Sequence, residues 1–288
     1  MKKMKHWHNK IILLTAFPGL GMFLFFIVLP FLASARYSFL NDVYHRAFAG
    51  LDNFRNVIGN KYFRLAFRNS FRFAVVGVAL LLLLATLLAL ALHRLKRRTG
   101  LLRILFAMPV LVPTAGIVLA WHRVFRQMYY YDLMKNPVLS DFWYILPIYL
   151  IYLWKHTGLC ILVLLAAIDH IPDELYEAAK LDGASRGVCT RRITLPLMRP
   201  NLLLALMYAF MSSLKIFKES YFYYGETKYP NDIAYTLQYY MNNHFLKMNY
   251  PTLSVATLLF TATIAVIVFM LYRAEGRFSE ALGGQTWN

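Results

Sequence analysis

The chain has 288 residues, of which 59% are hydrophobic and 16% charged, and its formal net charge is +17. An average soluble domain is about 45–50% apolar and about 25% charged. The balance here excludes a disordered chain, a collagen-like fibre and a disulfide-rich secreted scaffold, and it argues against a soluble enzyme. What remains is an integral membrane protein of several spans, whose Lys and Arg gather in cytoplasmic segments rather than against nucleic acid.

A span needs about 20 apolar residues, because each helical residue rises ~1.5 Å through a hydrocarbon core ~30 Å thick. Six segments qualify. The first, 11–33, follows a basic stretch with Lys2, Lys3, Lys5 and Lys10 and precedes Ala33-Ser34-Ala35, which is signal-peptide grammar. The apolar run is too long for a signal h-region of 7–15 residues, so an uncleaved span is expected. The longest loop follows, from Ser34 to Ser70. Within it Phe63, Ala66, Phe67 and Ser70 recur at helical spacing, which predicts an amphipathic helix over 61–73 at the outer surface.

The second span is expected at 71–92 and the third at 101–121. Between them His93-Arg94-Leu95-Lys96-Arg97-Arg98 is a dense cytoplasmic signal, and it places both termini inside. The fourth span, 142–168, is interrupted by Lys155 and His156. The fifth, 201–224, carries Lys215, Lys218 and Glu219. The sixth, 252–272, holds no charge.

Charge inside a span is costly and faces the bundle interior or a water-filled path. Lys215 and Glu219 are four apart, so on one helix they would pair. Either they neutralise each other or snorkel at a boundary, or they line a polar passage with Lys155. The dense aromatics Tyr208, Phe217, Tyr221, Phe222, Tyr223 and Tyr224 have two readings as well. They form an interfacial belt, or they stack on sugar rings and bond sugar hydroxyls. Composition alone favours the belt. A substrate path through the fifth span would use Phe217, Tyr221, Lys215, Glu219 and Tyr208.

Several chemistries have no motif here. There is no G-x-x-x-x-G-K-[ST], no G-x-G-x-x-G, no H-E-x-x-H and no G-x-S-x-G. Cys160 and Cys189 form no C-x-x-C, which leaves two ordinary thiols. No catalytic residue, metal site or cofactor of the chain's own is expected.

The loop between the fourth and fifth spans, 169–200, is the most informative segment. Pro172 suits the first turn of a helix, and Asp173 and Glu174 suit its positive end. Gly183 stops or bends that helix, and Pro196 and Pro200 restart the chain towards the membrane. The small Ala178 and Ala179 would allow another protein to approach closely. On the residues alone, a docking surface and a solvated loop are equally good readings.

This loop resembles the cytoplasmic E-A-A motif of the permease subunits of binding-protein-dependent ABC importers. That pattern is E-A-A, three residues, a Gly, nine residues, then I-x-L-P. The chain has Glu177-Ala178-Ala179, Gly183 and Ile193-Thr194-Leu195-Pro196, with Asp182-Gly183-Ala184 as in many members. Gly50-Leu51-Asp52-Asn53-Phe54, Asn69-Ser70 before the second span, Pro109 and Trp121 extend the likeness towards the sugar permeases. Two features depart from it: the first extracellular loop is unusually basic, and Tyr229-Pro230-Asn231 stands where one branch has Gly-Gly-Pro.

The resemblance implies an all-α membrane protein with six transmembrane helices in the type I ABC importer permease fold, a single domain over 1–288 in the cell membrane. It implies a second permease, forming a hetero-dimer, two ATPase subunits that bind ATP and Mg, an extracytoplasmic solute-binding protein, and a carbohydrate cargo. Glu177, Ala178, Ala179, Asp182, Gly183 and Ala184 would form the coupling helix that meets the ATPase; Arg191 and Arg192 receive no role. A stand-alone ion-coupled carrier and a membrane-embedded enzyme using Lys155, His156 and Glu219 are the alternatives. Glu219 is the only carboxylate in the proposed spans, which weakens the carrier, and no reacting constellation supports the enzyme.

Overall fold

The computed structural model describes residues 17–41, 47–95, 99–127, 135, 136 and 139–281, with the backbone alone at 99, 127 and 274–281. The basic stretch before residue 11, the start of the first expected span and Lys96, Arg97 and Arg98 lie outside the described residues. Those residues are helical apart from turns, connecting segments and one isolated antiparallel bridge between Leu40 and Phe48. They gather into two compact units: residues up to Arg64 with Met241–Ile264, and Leu65–Tyr240 with the segment from Ala265 on.

In the first unit α1, Phe17–Tyr37, contains a π turn at Leu24–Val28. None of its apolar window is buried, the state of a helix whose partners are lipid or protein outside the chain. The helix α2, Asp52–Gly59, is fastened to the end of α1 from its own first turn. Gly50 takes the left-handed φ of +57° that turns the chain. The Asn53 amide donates to the carbonyls of Ser38 at 3.0 Å and Leu40 at 2.8 Å.

Next comes α3, Lys61–Arg94, a single helix of 34 residues. Asn60 caps it, its Oδ1 accepting from the amides of Tyr62 and Phe63. The helical spacing over 61–73 is real, with Phe63, Ala66 and Ser70 buried. It belongs to the second span itself and not to a separate surface helix, since nothing between Phe71 and Phe73 breaks the ladder.

The second unit is built on α6, Ser140–Asp169. More than half of its most apolar window is buried, with Ile148, Ile151, Tyr152, Ile161, Leu164, Leu165 and Ile168 all under 2% exposed. Against it lie α4, Thr99–Leu111, and α5, Thr114–Gln127. A Cβ on Gly158 of α6 would overlap the Phe106 carbonyl oxygen of α4, so only glycine permits this approach. The expected third span is therefore two helices, bent by 100° where Val112 precedes Pro113, because a residue before proline is disfavoured in helical conformation.

The segment after α6 forms α7, Asp173–Leu181, and α8, Arg186–Leu197, whose middle is a π turn at Thr190–Thr194. A 68° bend leads to α9, Arg199–Leu214. The expected fifth span also breaks, at Lys215–Ile216, before α10, Phe217–Tyr223. Just before the break the Ser213 hydroxyl donates to the Phe210 carbonyl at 2.7 Å, the local back-bond that bends helices. The described residues close with α11, Leu237–Leu246, and α12, Tyr250–Ala281.

Among the described residues four helices are long and apolar enough to cross a membrane: Phe17–Tyr37, Lys61–Arg94, Ser140–Asp169 and Tyr250–Arg273. With each bent pair taken as one span, the number is six.

Candidate functional site

The first candidate region is the loop carrying α7 and α8. At its root, the Asp169 carboxylate ends α6 and receives the Arg103 Nη2 of α4 at 2.8 Å, while the His93 Nδ1 of α3 lies 3.0 Å from its other oxygen. Pro172, expected in the first helical turn, is instead the N-cap of α7. Asp173 and Glu174 sit at the positive end of the helix and Lys180 at the negative end, as the macrodipole prefers.

The end of α7 is a Schellman motif. Gly183 has φ +78°, its amide donates to the Lys180 carbonyl at 3.0 Å, and the Ala184 amide donates to the Ala179 carbonyl at 2.9 Å. Ser185 then caps α8, accepting from the Val188 amide at 3.4 Å. The Tyr176 hydroxyl and the Thr194 hydroxyl are 2.9 Å apart and tie α7 to the middle of α8.

All six residues expected to couple lie together here. Glu177, Ala178, Asp182 and Gly183 are exposed, and Ala179 and Ala184 are half-buried. Beside them Leu181 is 90% exposed.

The second region is a polar cluster inside the second unit. Lys155 is half-way along α6, ~20 Å from either end by the helical rise. Its Nζ donates to the Glu219 Oε1 at 2.6 Å and to the Thr114 Oγ1 at 3.0 Å. The two charged side chains are 14% and 5% exposed. Both partners of Lys155 come from broken helices. Thr114 opens α5 just after the 100° bend, and Glu219 lies in the first turn of α10 just after the Lys215–Ile216 break.

This corrects the pairing expected from sequence. Lys215 does not meet Glu219, because the helix that would hold them four residues apart is interrupted between them; Lys215 is exposed at the break. Glu219 pairs across the bundle with Lys155.

Next to Lys155, the His156 Nδ1 lies 2.8 Å from the Tyr208 hydroxyl of α9, and the Tyr152 hydroxyl donates to the Ala209 carbonyl at 2.7 Å. Phe217 and Tyr221 come together, with ring centroids 5.3 Å apart. Both join Tyr239 of α11, at 4.9 and 6.3 Å. The Tyr239 hydroxyl lies 3.1 Å from that of Ser220, and burial pushes its phenol pKa above the ordinary value, which keeps it a neutral hydrogen-bonding group. Of the residues expected to form a substrate path, Glu219, Phe217, Tyr221 and Tyr208 therefore enter polar or aromatic clusters and Lys215 does not.

Thr114, His156 and Tyr239 complete these clusters, and none was among the substrate-path residues expected from sequence. Thr114 had a usable signal, a hydroxyl directly after proline in an apolar run. Asn69-Ser70 shows its role only in the structure. The Asn69 amide donates to the carbonyls of Asp232 at 2.5 Å and Tyr235 at 3.0 Å, and the Ser70 hydroxyl accepts from the Leu237 amide at 2.8 Å. The pair thus fixes the start of α11, on which Tyr239 stands.

Residues 81–277 match the family described as the binding-protein-dependent transport system inner membrane component. The chain is 30% identical to the trehalose/maltose transport system permease protein MalF of Thermococcus litoralis, with 96% of this chain and 97% of that one covered. It is 26% identical to the lactose transport system permease protein LacF of Rhizobium radiobacter, over 78% of this chain and 77% of that one. Its fold resembles a chain of a bacterial ABC transporter that imports the acidic polysaccharide alginate, with a TM-score of 0.77 at 20% identity, covering 96% and 99% of the two chains.

Proposed function

Since the chain belongs to the binding-protein-dependent transport system inner membrane component family, we propose that it is the transmembrane subunit of an ATP-driven importer of sugars, with di- and oligosaccharides as cargo. The observation that carries this reading is the exposed α7, ending in the Gly183 Schellman turn and presenting Glu177 and Ala178 to the outside of the fold. Sugar permeases among its relatives, for trehalose/maltose and for lactose, support the cargo class. The family is a permease component, so ATP hydrolysis belongs to a separate subunit.

In this reading both termini are cytoplasmic and the chain forms one transport domain, paired with a second permease over two ATPase subunits. A solute-binding protein delivers the sugar from outside. ATP-driven closure of the ATPase pair pushes on α7, and rigid-body motion of the spans alternates access. Because α7 is rooted at Asp169, held by Arg103 and His93, a push on it reaches the ends of α3, α4 and α6 together.

The substrate path runs past the polar and aromatic clusters. Broken helices whose ends meet near the membrane midplane are where transporters bind cargo, and Thr114, Lys155 and Glu219 meet in that way. Lys155, Glu219, His156 and Tyr208 offer donors and acceptors for sugar hydroxyls; Phe217 and Tyr221 offer faces for sugar rings.

The test is co-purification of the tagged chain from its native membrane in mild detergent, with ATPase activity assayed, beside a Glu177→Lys variant. Recovery of a second permease and an ATPase with the wild type, and loss of the ATPase with the variant, is expected. A wild-type chain that purifies alone and drives uptake without an ATPase would overturn the reading.

A further inference from the structure

The face of α7 that carries Glu177, Ala178 and Leu181 is open to a partner. Asp173, Tyr176 and Lys180, spaced by three and four along α7, line a cavity of about 290 Å³ with residues from the end of α3 and the start of α8. Three cations reach it, one from each element: Arg94 of α3, Lys180 of α7 and Arg186 of α8. All three are exposed, and none forms an ion pair among the described residues. Asp173 is the carboxylate in the same wall, and His93, also in the wall, is turned towards Asp169. Three positive charges against one negative leave the cavity short of an anion.

The base of the cavity is mostly apolar. Leu90 and Tyr176 are half-buried and Cys189 is buried, and the one buried hydroxyl there, that of Thr194, is met by Tyr176. Leu90 belongs to the last turns of the apolar run of α3, so the cavity lies where that span leaves the hydrocarbon. A basic pocket with an apolar base at a membrane boundary suits a lipid head group.

We propose that this cavity binds a phosphate ester, the head group of an anionic phospholipid, which braces the coupling helix α7 against the end of the second span. A soluble phosphate carries the same chemistry, and the test separates the two sources. The proposal takes from the permease reading only the cytoplasmic placement of this loop.

The importer complex is purified and reconstituted in phosphatidylcholine vesicles with and without phosphatidylglycerol, and phosphatidylglycerol retained after detergent washing is measured by mass spectrometry. The wild type is expected to retain it. Arg94→Gln and Lys180→Gln are each expected to weaken retention about fivefold; Lys180→Arg restores it, and Arg191→Gln, in the same loop but outside the cavity, leaves it unchanged. If phosphatidylglycerol is not retained but inorganic phosphate raises the unfolding temperature more than chloride of equal ionic strength, through the same residues, the site stands with a soluble ligand. Retention and phosphate response that are both indifferent to Arg94 and Lys180 would overturn the proposal. So would variants that release the ATPase with lipid retention unchanged, which would assign the cavity to protein docking. Loss of the permease reading would show separately, as a wild-type complex without an ATPase.

Discussion

The loop carrying α7 and the polar cluster of the bundle are held together by opposite means. The loop is local. Its helix start, its charges, its Gly183 turn and the Ser185 cap lie within 13 consecutive residues, and the turn and the cap are closed by partners a few positions away. The cluster is non-local. Thr114, Lys155 and Glu219 are separated by 41 and 64 residues, and their contacts exist only when three helices are in place. The loop can therefore be pushed as a unit by a partner without rearranging its own bonds. The cluster cannot move without exposing a buried charge. This difference suits one region to receiving force and the other to distinguishing the states of the passage.

The largest effect is expected where the non-local region is broken. Glu219→Ala leaves the Lys155 ammonium buried beside Thr114 with no countercharge. Removing one partner of a buried pair costs about 3–5 kcal/mol, so thermal unfolding of the complex in detergent should show a strongly destabilised or unrecoverable protein. Replacing both partners, with Lys155→Met and Glu219→Leu together, removes the unpaired charge and should recover most of the stability. The uptake assay on that double variant then sharpens the comparison. Folded protein without uptake identifies the pair as part of the passage, and folded protein with normal uptake makes it a structural tie. A stable Glu219→Ala single variant would show that the pair does not hold the bundle.

The same contrast governs what the sequence discloses. Apolar length found the four long apolar helices and the two bent pairs, because hydrophobic thickness is a local property of the chain. It missed the bends at Val112–Pro113 and Lys215–Ile216, because a hydropathy window averages over them. Pro113 was a readable warning; the Ser213 back-bond was not. The error at Lys215 followed directly, since i,i+4 pairing presumes an unbroken helix. Asn69-Ser70 was visible as a motif, but its partners Asp232, Tyr235 and Leu237 are more than 160 residues away. In α7 each sequence signal and its structural consequence lie within one or two turns, so apart from the place of Pro172 the loop was legible almost in full.

A smaller effect is expected from the turn. A Cβ on Gly183 meets nothing within 4 Å, so the left-handed backbone alone resists substitution. Gly183→Val costs ~1–2 kcal/mol at this turn, and Gly183→Asn much less, because Asn visits the left-handed region. Membrane insertion should be normal in both. Uptake should fall severely with Val and with Gly183→Asp, which adds charge to the docking surface, and largely survive with Asn. Wild-type uptake by the Val variant would remove Gly183 from the coupling mechanism.

The smallest effect tests whether the loop acts as one body. Tyr176→Phe keeps the ring but removes the hydroxyl that meets Thr194, a residue only 4% exposed, across α7 and α8. Losing that bond costs about 1 kcal/mol, too little to unfold a loop rooted at Asp169. The exposed face with Glu177 and Ala178 is untouched, so the ATPase should co-purify as before. What changes is the stiffness between the helix that is pushed and the helix that leads into α9. Sugar transported per ATP hydrolysed should therefore fall a few-fold while ATPase activity is kept. An unchanged ratio would mean that force enters the membrane through the Asp169 root alone, and that α8 follows α7 without transmitting anything.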